Sequence, residues 1–307
     1  MIHNILVPTD GSPLSARAAR TAAGLAKALG AKLVGFTATG DYPVGGPTAR
    51  ILARTPLQQD FSAQQAKAAE HRLQAIADVA QAADVRYETF SAGGEEVYQA
   101  ILDAARTAGC DLIVMASRGG TGVGGFMLGG DASRVLTHTE LPVLIDHGRH
   151  GGSSDITNIL VPVDGSAPAA QAAVAAARLA QALGARLTGL CVERPDPPVA
   201  HWQGHAIGTT DAFRAEQARW SRNCLAELQE AAREHGVAAT LLTAVGNHPA
   251  EQIVHTARQQ HCDLVFMASQ RRSGLSGLLL GSTANGVLRN TDLPVWIHRR
   301  PELARPS

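Results

Sequence analysis

The sequence offers little with which to cross-link, ligate metal or span a membrane. Its 307 residues contain four cysteines, Cys110, Cys191, Cys224 and Cys262, none in a C-x-x-C pair. A chain this long needs no disulfide staples, and this cysteine usage suits a reducing compartment. The longest apolar runs, such as Leu112 to Ala116, are strand-sized, far below the roughly 20 residues that cross a bilayer. No excess of one charge is present: 27 Lys+Arg balance 27 Asp+Glu, so no global field draws in nucleic acid or an anionic membrane. There is no Gly-Lys dipeptide, hence no Walker-type phosphate loop with its lysine. No G-x-S-x-G elbow and no H-E-x-x-H helix occurs either. The opening Met1-Ile2-His3-Asn4 lacks a basic region followed by an apolar one, so no secretory leader is expected.

What is present is a repeat. Asn4-Ile5-Leu6-Val7-Pro8-Thr9-Asp10-Gly11-Ser12 returns as Asn158-Ile159-Leu160-Val161-Pro162-Val163-Asp164-Gly165-Ser166, a lag of 154. Cys110-Asp111-Leu112-Ile113-Val114-Met115-Ala116-Ser117 returns as Cys262-Asp263-Leu264-Val265-Phe266-Met267-Ala268-Ser269, a lag of 152. Leu141-Pro142-Val143 returns as Leu293-Pro294-Val295 at the same lag. Three matched blocks in one order indicate a tandem duplication. The expected division is a first domain at 1–147, a polar Gly-rich linker at 148–155, a second domain at 156–300 and a tail at 301–307.

Each half reads as alternating strand and helix. In the first, strands are expected at 4–8, 32–39, 85–91, 111–117 and 142–146. Helices are expected from the Ser12-Pro13 start to Leu29, and at 61–83, 95–109 and 129–137. Strands separated by helices imply parallel pairing through right-handed crossovers, and continuous apolar runs imply strands covered on both faces. The fold class is thus α/β: two tandem five-stranded, doubly wound, Rossmann-like domains. In such sheets ligands bind beyond the carboxyl ends of the strands, where the strand order reverses. The candidate site therefore combines the turn after the first strand with the glycine-rich loop after the fourth.

Those loops run from Ser117 to Gly130 and from Ser269 to Ser282. A helix beginning at Gly129 or Gly281 would aim free N–H groups and its positive dipole end at an anion. Ser282 or Thr283 could add a hydroxyl donor or cap. The same glycines serve equally for a tight strand-to-helix turn, and spacing alone leaves both readings open. Gly120 to Gly125 matches G-x-G-x-x-G, but it follows the fourth strand and the second half lacks it, so the dinucleotide fingerprint is set aside.

These blocks together resemble the universal stress proteins in their tandem two-domain form. The resemblance covers essentially the whole chain. It implies strand order 3-2-1-4-5 in each domain, an intrachain pseudo-dimer and a stress-response role. It further implies regulatory binding of ATP or another adenine nucleotide, with Mg accompanying ATP and at most weak hydrolysis. The loop of ATP-binding members, G-2x-G-9x-G-[ST], falls on Ala116, Gly119, Gly129 and Gly130, and on Ala268, Arg271, Gly281 and Ser282. Neither copy is intact, and Asp131 beside the first would repel a phosphate. The family's other nucleotide positions fall on Pro8, Thr9, Asp10, Ala38 and Met115, and on Pro162, Val163, Asp164, Val192, Met267 and Thr283. Asp10 and Asp164 read equally as turn aspartates.

A second reading remains open: a non-enzymatic interaction module with vestigial pockets, docking a protein partner or a small apolar ligand. The inserts at 40–60 and 194–212 are natural surfaces for that. His201 and His205 have i,i+4 spacing but flank Gly204 and follow Pro197-Pro198. They read as loop histidines, and no metal site is expected. Cys110 and Cys262 read as small core residues, and Phe213, Trp220 and Leu228 as one core-facing helix stripe. The expected setting is cytoplasmic, with no nucleic-acid or membrane partner and a possible homodimer of the pseudo-dimer.

Overall fold

The computed structural model describes residues 2–39, 56–94, 96–117, 128–148, 156–195, 200–202, 205–207, 210–268 and 280–299. Gly119, Arg271, most of the first insert and all but Gly148 of the linker lie outside them. The chain forms two compact units, one from Met1–Ser154 and one from Asp155–Ser273 with Leu279–Ser307.

The first unit runs β1 (Asn4–Pro8), α1 (Pro13–Leu29), β2 (Lys32–Thr39), α2 (Pro56–Ala82), β3 (Tyr87–Gly93), α3 (Val97–Thr107), β4 (Leu112–Ala116), α4 (Gly130–His138) and β5 (Val143–Asp146). Its five strands are parallel in the order β3-β2-β1-β4-β5. The second unit runs β6 (Asn158–Val163), α5 (Ala167–Leu183), β7 (Arg186–Glu193), β8 (Ala200–Trp202), β9 (His205–Ile207), α6 (Thr210–Glu234), β10 (Ala239–Val245), α7 (Pro249–Gln259), β11 (Leu264–Ala268), α8 (Ser282–Asn290) and β12 (Val295–His298). Its order, β10-β7-β6-β11-β12, is the same permutation, again parallel. Both units match the expected 3-2-1-4-5.

The central strands are fully enclosed, with Ile5, Leu6, Leu112, Ile113, Ile159 and Leu264 at 0% exposure. Helices reach the sheet through small residues. α1 buries Ala18, Ala19, Ala22, Ala23 and Ala26, and α5 buries Ala172, Ala173, Ala176, Ala177 and Ala180. Alanine gives high helix propensity and brings the backbone close to the strands, so few aromatics are needed to fill the layers. α2 and α6 approach closer still, over glycine. A Cβ at Gly35 would meet Ile76 Cγ2 and Thr89 Cγ2 at 3.0 Å, and one at Gly189 would overlap Leu228.

The repeated Asn and Asp of the two sequence blocks prove to be a clamp. Asp111 accepts the backbone N–H groups of His3 (2.6 Å) and Asn4 (3.0 Å), while the Asn4 side chain donates to the carbonyls of Ala108 and Gly109. Asp263 accepts from the N–H groups of Thr157 (2.8 Å) and Asn158 (3.0 Å), and Asn158 donates to the Gln260 carbonyl. These bonds fix the start of the first strand against the turn before the fourth. Both blocks thus carry the same structural role in both halves.

Some boundaries differ from the sequence expectation. β3 begins at Tyr87 because Asp84 takes a left-handed conformation (φ 56°) and Val85 N–H closes back on the Ala80 carbonyl, ending α2 first. α2 itself begins at Pro56, five residues before the expected start at 61. The second insert carries the antiparallel ribbon β8–β9, pairing Trp202 with His205. A ribbon, not a helix, therefore presents His201 and His205. No group of three or more His, Cys, Asp or Glu residues could hold a metal among the described residues. No described helix is long and apolar enough to cross a membrane.

Candidate functional site

Both domains turn sharply after the first strand. Asp10 Oδ1 accepts the Ser12 N–H (2.9 Å), and Asp164 Oδ1 accepts the Ser166 N–H (3.0 Å), closing Asx turns. The helix caps are the serines: Ser12 Oγ accepts from Ser15 N–H and Ser166 Oγ from Ala169 N–H. The aspartates therefore shape the turn without capping the helix themselves. Gly11 and Gly165 take φ 79° and 72°, values that favour glycine.

In the second domain this turn opens onto a cavity of about 1070 Å³ at the carboxyl ends of β6 and β11. Pro162 and Val163 line it from β6, Asp164 from the turn after it, Val192 from β7, Met267 and Ala268 from β11, and Gly281 with Ser282 and Thr283 from the start of α8. Nine of the ten residues expected in this half are thus brought to one cavity; Arg271, the tenth, lies outside the described residues. α8 starts at Ser282 with Gly281 as N-cap, no side-chain cap bond and no acidic residue in its first turn. Ser282 is therefore the first helical residue, and the expectation that it caps the helix is corrected. Orphan N–H groups of this first turn are available to an anion. Gly281 has φ −59°, and a Cβ there would meet nothing within 4 Å. Neither backbone strain nor packing within the described residues demands glycine at this place.

The first domain places its candidates similarly along the chain, but sets different side chains around them. Pro8 ends β1, Ala38 lies on β2, and Met115 and Ala116 end β4, buried. The Thr9 hydroxyl pairs with Ser15 Oγ (3.0 Å), and its carbonyl accepts from the Thr37 hydroxyl (2.8 Å). Gly129 is the N-cap of α4 and donates its N–H to the Ser117 carbonyl (2.7 Å). Gly130 is the first helical residue, and Asp131 stands in that first turn, where its charge already complements the helix dipole. The stem of Arg72 lies across the Gly11 turn, with Cγ 3.0 Å and Nε 3.6 Å from where a Cβ would be.

Two features went unread in the sequence. One is Arg72. The other is the cavity-facing stripe of α6: Phe213, Glu216, Gln217 and Trp220 all line the cavity. The expectation that Phe213 and Trp220 are core residues is corrected. Leu228 is fully buried, but Trp220 is 36% exposed and both aromatics face the cavity. Comparing the halves at lag 152, which sets Ala68 against Trp220 and Arg72 against Cys224, is the signal that would have exposed both. Behind the cavity wall, Cys191 and Cys224 form a hydrogen-bonded thiol pair; burial pushes Cys191 up to about 12 and Cys224 upward as well. Neither thiol has nucleophilic character.

A family model and several relatives place this chain in one family. The model of the Universal stress protein family matches residues 1–147 and again 155–299. Universal stress protein MJ0531 of Methanocaldococcus jannaschii is 28% identical over 153 residues, covering 49% of this chain and 86% of that protein. Universal stress protein YxiE of Bacillus subtilis is 32% identical over 148 residues, covering 46% of this chain and 97% of that protein. The crystal structure of a universal stress protein from Archaeoglobus fulgidus covers 97% of both chains, with a TM-score of 0.66 at 22% identity, a likeness of fold. With both halves matched and the strand order shared, this chain belongs to the universal stress protein family, as a tandem of two such domains.

Proposed function

We propose that the second domain of this stress protein binds an adenine nucleotide as a regulatory ligand, without turnover. The observation that carries this reading is the cavity, which joins the uncapped start of α8 to Asp164 and Val192 in one space. Phosphate oxygens would take N–H groups at Ser282 and Thr283 together with their hydroxyls, and the base and ribose would lie toward Asp164 and Val192. A Mg²⁺ ion carried by a triphosphate would have Asp164 and Glu216 as candidate oxygen ligands in the cavity wall. No nucleophile or base is needed for this role, only binding and orientation.

The first domain takes the second reading, that of an interaction module with a vestigial pocket. Arg72 across the Gly11 turn and Asp131 in the first turn of α4 favour it. Docking of a protein partner and a homodimer of the pseudo-dimer belong to that half of the proposal.

Calorimetric titration with ATP and Mg²⁺ tests both assignments. One site per chain is expected, weakened about tenfold or more in Asp164→Ala, with the protein unchanged in far-UV circular dichroism. No heat at millimolar nucleotide overturns the nucleotide reading; two equivalent sites overturn the division between domains.

A further inference from the structure

The cavity-facing stripe of α6 changes character along its length. Phe213, Glu216, Gln217 and Trp220 follow i, i+3, i+4, i+7 spacing and line the cavity. The next turns continue the stripe into the core, where Cys224 meets Gly165, and Leu225 and Leu228 meet Gly189. Trp220 stands where core becomes cavity. Its indole Nε1 would lie 3.4 Å from a Cβ at Gly165, so the ring sits over the turn that holds Asp164.

Its exposure calls for an explanation. Four large hydrophobic side chains are exposed among the described residues, Tyr87, Val97, Trp220 and Val245, and of these Trp220 is the one that lines the cavity. A helix residue four positions before the buried Cys224 could be small, as Ala68 is at the matching place in the first domain. A large flat ring left partly bare beside a turn aspartate instead offers a stacking face. Gly165 keeps the floor beneath the ring open, since a Cβ there would approach Cys224 Sγ to 2.9 Å.

We infer that Trp220 is a specificity-determining residue of the second domain: it stacks the base of the bound nucleotide and so selects ligands that carry a planar aromatic ring. This rests on the nucleotide reading above. It differs from that reading in assigning the base end to a side chain with no counterpart in the first domain. The phosphate end, at α8, is independent of it.

The test measures ATP and inorganic tripolyphosphate affinities of wild type, Trp220→Leu and Trp220→Phe by calorimetry, together with the change in indole emission on adding ATP. Stacking on an aromatic side chain predicts that Trp220→Leu weakens ATP about tenfold or more. Tripolyphosphate binding should be unchanged, Trp220→Phe should hold ATP within about threefold of wild type, and the ATP-induced quench should vanish in both variants. A purely structural role would weaken both ligands together, and that result overturns the assignment. Wild type that binds ATP while Trp220→Leu binds it equally well overturns the assignment and leaves the nucleotide reading standing. Wild type that binds no ATP removes both.

Discussion

At the end of the first strand the two domains build the same turn and then lay different side chains across it. Over Gly11 lies the stem of Arg72; over Gly165 lie Trp220 and Cys224. At the other edge of the site, α4 begins with Gly130-Asp131 and α8 with Ser282-Thr283. The scaffold beneath is shared to the level of individual hydrogen bonds, as the Asn4–Asp111 and Asn158–Asp263 clamps show. After a duplication, then, the residues that hold strands together stay put because both copies must fold. The side chains that face the ligand space are free to part.

The comparison can be broken hardest at the helix–sheet contact beneath the site. A Cβ at Gly189 would overlap the Cδ2 methyl of the fully buried Leu228 and press on Leu241 at 3.1 Å, whereas one at Gly35 would reach the methyl groups of Ile76 and Thr89 only at 3.0 Å. Overpacking costs about 1–3 kcal/mol, so Gly189→Ala should lie near the top of that range and Gly35→Ala near the bottom. Denaturant midpoints of the two variants check the order; a larger loss in Gly35→Ala would mean that the domains pack differently from what is described.

A smaller effect sharpens the difference at the helix starts. Thr283→Asp copies the Asp131 arrangement into α8 and puts a carboxylate where phosphate oxygens are assigned. Charges at helix termini are worth about 0.3–1 kcal/mol exposed and up to about 2 when partly buried. ATP affinity should therefore fall about tenfold, with the melting temperature unchanged or slightly raised. Unaltered ATP binding would move the phosphates away from α8.

How much of this was legible beforehand depends on what each residue answers to. The strands and the first helix of each half were readable because they follow from local rules: apolar runs, Ser-Pro starts at Ser12 and Ser166 (the latter as Ser166-Ala167-Pro168), and glycine stops at Gly30 and Gly184; the strand order came with the family resemblance. Nine residues of the second cavity were readable because the family resemblance assigns them to strand ends and one helix start, the region where doubly wound topology places ligands. Arg72 and Trp220 were not. They reach the site from helices that follow long inserts, so no local pattern says which face meets the turn. The periodic stripe of Phe213, Trp220 and Leu228 looked like uninterrupted core because periodicity records which residues share a face, and not where the protein stops covering it.

The smallest expected difference concerns the two capping serines. Removing a cap costs about 1 kcal/mol. Ser12 is buried and belongs to a hydroxyl cluster with Ser15, itself paired to Thr9, whereas Ser166 holds the Ala169 N–H. Ser12→Ala should cost more than Ser166→Ala by a few tenths of a kcal/mol, measurable as a shift in urea midpoint. Equal losses would show that the hydroxyl cluster adds nothing to the cap.

The sealed thiols have a consequence for a protein whose family answers to stress. All four cysteines are buried; Cys110 and Cys191 are pushed up to about 12 and Cys262 to about 11, each chiefly by burial. At neutral pH, a thiol at about 12 is ionised in roughly one molecule in 10⁵, and thiolate is the form that peroxides attack. The buried thiols are therefore poor targets for peroxide. Thiol oxidation is thus a poor route by which an oxidant would address this chain.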